Sequence, residues 1–140
     1  MDVRRAAGEG AGKKTPRLVD CYFLVPIRRN SDRRLHSRLL WRDLRQALRT
    51  SFGGSSGPRR IFAFREVELM PGEWVQGQTG KVIEDESRKY HVAVADDQVA
   101  ALRGILRRVA NSFDQECIFL SVAGIVEYVE RRPEEGFLEG

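Results

Sequence analysis

Two groups of residues in this 140-residue chain have the types and spacing to do chemistry. The first lies in GEWVQGQTGKVIEDESRKY, residues 72–90, where a tryptophan, three glycines, four acids and a tyrosine fall within nineteen positions. With His91 next in line, Trp74, Glu84, Glu86, Tyr90 and His91 would make a pocket if one turn gathered them. Carboxylates and imidazole are the usual general acids and bases, so such a pocket could work without a metal. The second group is the arginine row Arg38, Arg42, Arg45 and Arg49. Its 4, 3, 4 spacing puts all four on one helix face about 16 Å long. Guanidinium offers paired donors in a fixed plane, which suits phosphate and carboxylate alike. Arg103, Arg107 and Arg108 repeat the theme further along the chain.

Other chemistries lack their residues. None of Cys21, Cys117, His36 and His91 lies close to another in sequence, so clustered metal ligands are absent and no metal or cofactor is expected. The chain has no P-loop, no GxGxxG after a strand and no HExxH. GEGAG at 8–12 is glycine-rich but precedes any strand. Nucleophilic catalysis needs a Ser, Cys or Thr beside a base. His36, on the basic helix, reads as a surface histidine; His91 and Tyr90 begin a strand, so one of them faces each side of a sheet. KYHVAV carries no RNP-type aromatic pattern. The two cysteines start apolar runs and read as buried thiols.

These residues must be positioned by one domain, since the length and a 41% hydrophobic, 31% charged composition fit a single globular unit. Residues 1–16 lack periodicity and read as a disordered tail, and GGSSGP at 53–58 as a loop. The domain is expected over 17–132, with 133–140 a loose acidic tail. No apolar run approaches the roughly 18 residues of a membrane span, and no h-region follows the basic N-terminus; a cytoplasmic location is expected. Charge is unevenly placed: residues 28–49 hold eight arginines against two aspartates, while the last fourteen hold five glutamates and two arginines.

Periodicity supplies the elements. Residues 18–27 (LVDCYFLVPI) read as a buried strand. A helix follows over 34–52, capped by Ser31 or Asp32, with Leu40, Trp41, Leu44, Ala47 and Leu48 as its buried stripe. Residues 61–75 alternate as a long strand interrupted at Pro71 and Gly72, and QGQTG makes a turn. YHVAVA at 90–95 is a third strand, after which Asp96 and Asp97 cap a helix with the stripe Val99, Leu102, Leu106, Val109 and Phe113. Residues 117–129 (CIFLSVAGIVEYV) read as a fourth strand, kinked or bulged at Gly124.

The order β-α-β-β-α-β, with right-handed crossovers, predicts an α+β, ferredoxin-like fold: four antiparallel strands with both helices on one face. The other face would then be bare, and covered by a loop or by a second copy, as in sheet-to-sheet homodimers. Both helices on one side would gather seven arginines on one surface, attractive to a phosphate backbone or an acidic protein.

The combination Gly72-x-Trp74, Thr79-Gly80, Glu86-Ser87 and Phe113-x-Gln115-Glu116 resembles a family of small bacterial proteins, a domain of unknown function with a ferredoxin-like fold. The resemblance spans roughly residues 60–120 and departs at the arginine-rich first helix. It implies the fold and a pocket, and no settled activity. Three functions stand on the residues: an interaction module assembling through its sheet with a basic helical face for an acidic partner; a nucleic-acid-binding protein using the arginines; and a small metal-free enzyme or ligand-binding protein with a pocket under the 72–90 hairpin.

Overall fold

Alternation of apolar residues begins with β1 (Leu18–Pro26) in a computed structural model of the protein. The structure describes residues 17–52, 63–75, 80 and 82–138, and the side chains of 17–51, 80 and 86–138. Cys21, Phe23 and Val25 are buried on one side of β1, while Tyr22 and Leu24 point to the other, as the two-residue period of a strand requires. Next come α1 (Arg38–Phe52), β2 (Ala63–Val75) and β3 (Val82–Ala95). A single 3-10 turn, Asp96–Gln98, leads into α2 (Val99–Ser112), then β4 (Cys117–Val122) and β5 (Ile125–Glu130).

Every neighbouring pair of strands is antiparallel, in the order β2-β3-β1-β4-β5. The first four strands therefore have the ferredoxin-like arrangement, with β5 added at the edge beside β4. Trp41, Leu44 and Leu48 of α1 and Leu102, Ile105, Leu106 and Val109 of α2 share one core with Phe23, Tyr90, Val92, Ile118 and Leu120. Both helices thus cover the same side of the sheet. Burying each such side chain is worth about 1.5–3 kcal/mol, and this layer is what holds the strands in place.

Several local expectations change. The segment read as one strand over 117–129 is a hairpin, because Ala123 (φ 50°) and Gly124 (φ 85°) both adopt positive φ and turn the chain in two residues. That is the backbone of a tight hairpin turn, not a kink. The first helix starts at Arg38 rather than 34, with Ser37 at its cap: the Leu40 N–H reaches Ser37 Oγ at 3.4 Å. Before it, residues 27–37 form a loop closed by an Arg28–Leu35 bridge, in which Asp32 Oδ1 accepts from the Arg34 N–H at 3.0 Å. Asp96 and Asp97 occupy the 3-10 turn, and no side-chain cap bond is made there.

The third strand is longer than expected, since the charged run EDESRK is itself paired: Glu73 faces Glu84, Pro71 faces Glu86. Residues 82–86 pair with β2 but lie beyond the register of β1, so β2 and β3 extend as a two-stranded arm past the sheet. Pro71 and Gly72 keep register; the irregularity lies between Glu66 and Leu69. At the C-terminal end, 133–138 is not loose. Leu138 is buried, its N–H donates to Ser112 Oγ at 2.8 Å, and Asn111 Nδ2 donates to the carbonyls of Arg132 (2.8 Å) and Gly136 (2.6 Å). The expected tail at 1–16 and the loop at 53–58 lie outside the described residues.

Candidate functional site

The pocket expected from Trp74, Glu84, Glu86, Tyr90 and His91 is divided by the strand that carries it. Tyr90 is fully buried on the helix side, its ring stacked on Phe23 at 5.2 Å. His91, one residue on, faces the helix-free side, where its Nε2 lies 2.6 Å from Asp20 Oδ1. Glu86 is exposed. The Trp74 and Glu84 side chains lie outside the described residues; their backbones pair with Ile83 and Glu73 in the arm.

His36 is likewise corrected. It is buried in the loop before α1, with Nε2–H donating to the Pro26 carbonyl at 3.0 Å and its ring edge-on to Phe113 at 4.7 Å. Together with Trp41, which Arg88 caps at 4.0 Å, it forms an aromatic wedge under the loop. Its role is packing.

Two other places collect chemistry. One is the helix-free face of the sheet. Tyr22, Phe119 and Tyr128 form a row across β1, β4 and β5, with ring centroids 5.7 and 5.9 Å apart. Lys89 Nζ sits 4.2 Å over the Tyr22 ring, and the Asp20–His91 pair borders the row. Tyr128 is 63% exposed and Val126 50%. The pleat explains the row: Tyr22, Phe119 and Tyr128 are each out of phase with their strand's buried apolar residues.

The other is the end of the sheet where β1 stops. Here the two motif segments Glu86-Ser87 and Phe113-x-Gln115-Glu116 hold residues 26–28 between them. The Ile27 N–H donates to the Glu86 carbonyl at 2.9 Å, and Gln115 Nε2 donates to the Arg28 carbonyl at 2.8 Å. Asp114, in a left-handed conformation (φ 54°), accepts from the Ser31 N–H at 2.9 Å and from Arg131 at 3.2 Å. Burial works to raise the Asp114 carboxyl, but the bonds from Ser31 and Arg131 together outweigh it and hold the group below its ordinary range. Asp114 carried no signal as an anchor, because its partners lie 83 and 17 residues away.

The seven arginines differ in what answers their charge. Arg103 is clasped by Glu127 through two bonds of 2.7 and 2.9 Å, which hold its guanidinium charged and the carboxyl low. Arg107 lies 3.8 Å from Glu135, and Arg108 is half-buried. On α1, by contrast, Arg38, Arg42 and Arg49 are exposed and Arg45 half-exposed. Beside that row's amino end, Arg29, Asp32, Arg34, Leu35, His36, Ser37 and Leu40 line a cleft of about 460 Å³. Among the described residues, no group of three or more His, Cys, Asp or Glu is placed to hold a metal, and no helix is long and apolar enough to cross a membrane.

No protein-family model matches the chain, and no curated protein matches it. Solved structures do. A phage SAM lyase in complex with S-methyl-5'-thioadenosine is similar with a TM-score of 0.58 at 11% identity, over 87% of this chain and 96% of that one. A phage SAM lyase in the apo state gives 0.54 at 12%, over 94% and 98%. A Bacillus cereus protein related to NIF3 gives 0.45 at 13%, over 86% of this chain and 29% of its own. At these identities the likeness is one of fold.

Proposed function

We propose that the protein is a self-associating interaction module whose assembly surface is the helix-free side of the sheet. The observation that carries this reading is the helix-free aromatic row Tyr22–Phe119–Tyr128, half-buried at its first two rings and exposed at Tyr128. Contiguous apolar surface rimmed by polar groups is the pattern of a surface that meets another protein. Five strands at about 4.8 Å and roughly 20 Å of strand length give a face of about 500 Å² per copy. Two copies then bury about 1,000 Å², the lower bound for a specific interface. Lys89, Asp20 and His91 at the border supply its polar rim.

Sedimentation across a wide concentration range tests the reading. The expected result is a dimer or larger species that Tyr128→Glu converts to monomer with an unchanged circular-dichroism spectrum. A wild-type protein that stays monomeric throughout overturns it.

A second reading, a small metal-free enzyme or ligand-binding protein, is favoured by a separate observation. Glu86, Gln115 and Glu116 belong to segments that meet at one end of the sheet, in a fold shared almost end to end with phage SAM lyase. On this reading SAM or S-methyl-5'-thioadenosine raises the melting temperature, and Glu86→Gln and Glu116→Gln abolish that shift. Chromatography of SAM incubated with the protein reads consumption directly. An unmoved melting curve with intact SAM removes this reading.

A further inference from the structure

We infer that the α1 side of the protein is a docking surface for the phosphate backbone of a nucleic acid. The fold leaves the charge of the α1 row largely unanswered. Residues 28–49 contain eight arginines, Asp32 and Asp43, and no lysine. The structure spends the carboxylates elsewhere: Glu127 and Glu135 meet Arg103 and Arg107 of α2. Among the described residues, one carboxylate lies within ion-pair distance of the α1 row, Asp43 at 3.5 Å from Arg42. The row stands beside the buried stripe of Trp41, Leu44 and Leu48, so its position is fixed by the core.

Geometry matches the occupant. From Arg38 to Arg49 the helix rises about 16 Å, the length of about five phosphates along one strand of a duplex at 3.4 Å each. Guanidinium planes take phosphate oxygens in pairs. At the amino end of the row, the 460 Å³ cleft adds Arg29 and Arg34, with Asp32 at 3.2 and 4.0 Å holding the two in place. Two guanidiniums against one carboxylate leave the cleft positive, and the first-turn N–H groups of α1 point the same way. An acidic protein would need an apolar centre as well. Among the described residues of α1 and the loop before it, the exposed large apolar side chains are Leu35 and Leu39, 60% and 58% exposed, on either side of Ser37. The recognition is of backbone, so sequence preference is weak. It occupies the side of the sheet opposite the aromatic row and does not depend on assembly.

Fluorescence anisotropy with short labelled single-stranded RNA, single-stranded DNA and duplex DNA tests it, using the full chain. Four to five phosphate contacts give a plot of log affinity against log salt with a slope of about −3 to −4. Replacing Arg42, Arg45 and Arg49 together by Gln should weaken binding more than tenfold and flatten the slope to about −1. Arg103→Gln should leave both unchanged. If the triple variant melts early, Arg42→Gln and Arg49→Gln are measured singly, and each should weaken binding. Absence of binding at about 50 mM salt overturns the inference. So does a triple variant that binds like wild type, or equal affinity for polyglutamate or anionic vesicles.

Discussion

Neighbouring residues on the same strand meet opposite environments in this protein. Phe23 and Tyr90 stack at 5.2 Å inside the core, while Tyr22 and His91, each one position away, stand where no helix covers them. On the covered side several groups reach partners on other elements: Arg103 has Glu127, Arg88 has Trp41, and Asp114 has Ser31 and Arg131. On the other side an aromatic row reaches the edge of the sheet with Tyr128 largely exposed. An aromatic side chain is therefore structural or available according to its parity along the strand. Its chemical type does not decide.

The sharpest way to break this contrast is to truncate across it. Phe23→Ala should cost about 3–5 kcal/mol in chemical denaturation, because a fully buried ring leaves a cavity among packed side chains. Tyr22→Ala, measured in dilute protein, should cost less than about 1 kcal/mol. Equal costs would mean that the two sides do not differ.

The next effect concerns the corner that ties the 27–37 loop to α2. Asp114→Asn keeps a residue type that tolerates positive φ but weakens bonds to the Ser31 N–H and Arg131, a loss of about 1–2 kcal/mol at neutral pH. The Asp114 carboxyl sits below its ordinary value, so its stabilisation is present above the unfolded value, near pH 4, and disappears as pH falls through the folded one. The variant should therefore lose less stability than wild type between neutral pH and that acid range. Parallel acid titrations of the two melting curves would show that the carboxylate does not anchor the loop.

Smaller still is the difference between answered and unanswered arginines. Arg103→Ala should cost about 0.5–1 kcal/mol, limited because the pair with Glu127 is about one-third exposed. Arg42→Ala should stay within about 0.5 kcal/mol. A change of equal size at both positions would place the α1 row among the structural charges. Finally, Ala123→Asn relieves a positive φ that alanine adopts poorly and should add about 0.5–1 kcal/mol, read as a higher melting temperature. An unchanged melting point would argue against strain in that turn.

The parts legible in the sequence were those with a local period. Val99, Leu102, Leu106, Val109 and Phe113 fall on one helical stripe, and all are buried. Cys21, Phe23 and Val25 alternate with Tyr22 and Leu24 as a strand must. From these the βαββαβ order and the bare face followed. The β4–β5 turn was hidden because Ala123-Gly124 lacks the Asn or Asp that usually marks two positive φ values in succession. Glu84 to Lys89 fell outside the expected third strand because charges carry no apolar period, yet the backbone there pairs with β2. His36 looked exposed among arginines because the ring it meets, Phe113, is remote in sequence. Which arginines would be neutralised could not be read either, since Glu127 lies 24 residues from Arg103. Short-range pattern specified the layers, and long-range pairing decided which charges were answered.

The burial of Cys21 has a practical consequence. Its thiol is 1% exposed and pushed up to about 11 by burial, so a thiol reagent has almost no anion to attack while the sheet and helices stay together. Labelling at Cys21 then keeps time with the parting of those layers. Cys117, only half-buried and on the aromatic side by strand alternation, reports on a different event. The chain carries two internal stopwatches, one started by opening of the domain and one slowed by whatever comes to lie against the sheet.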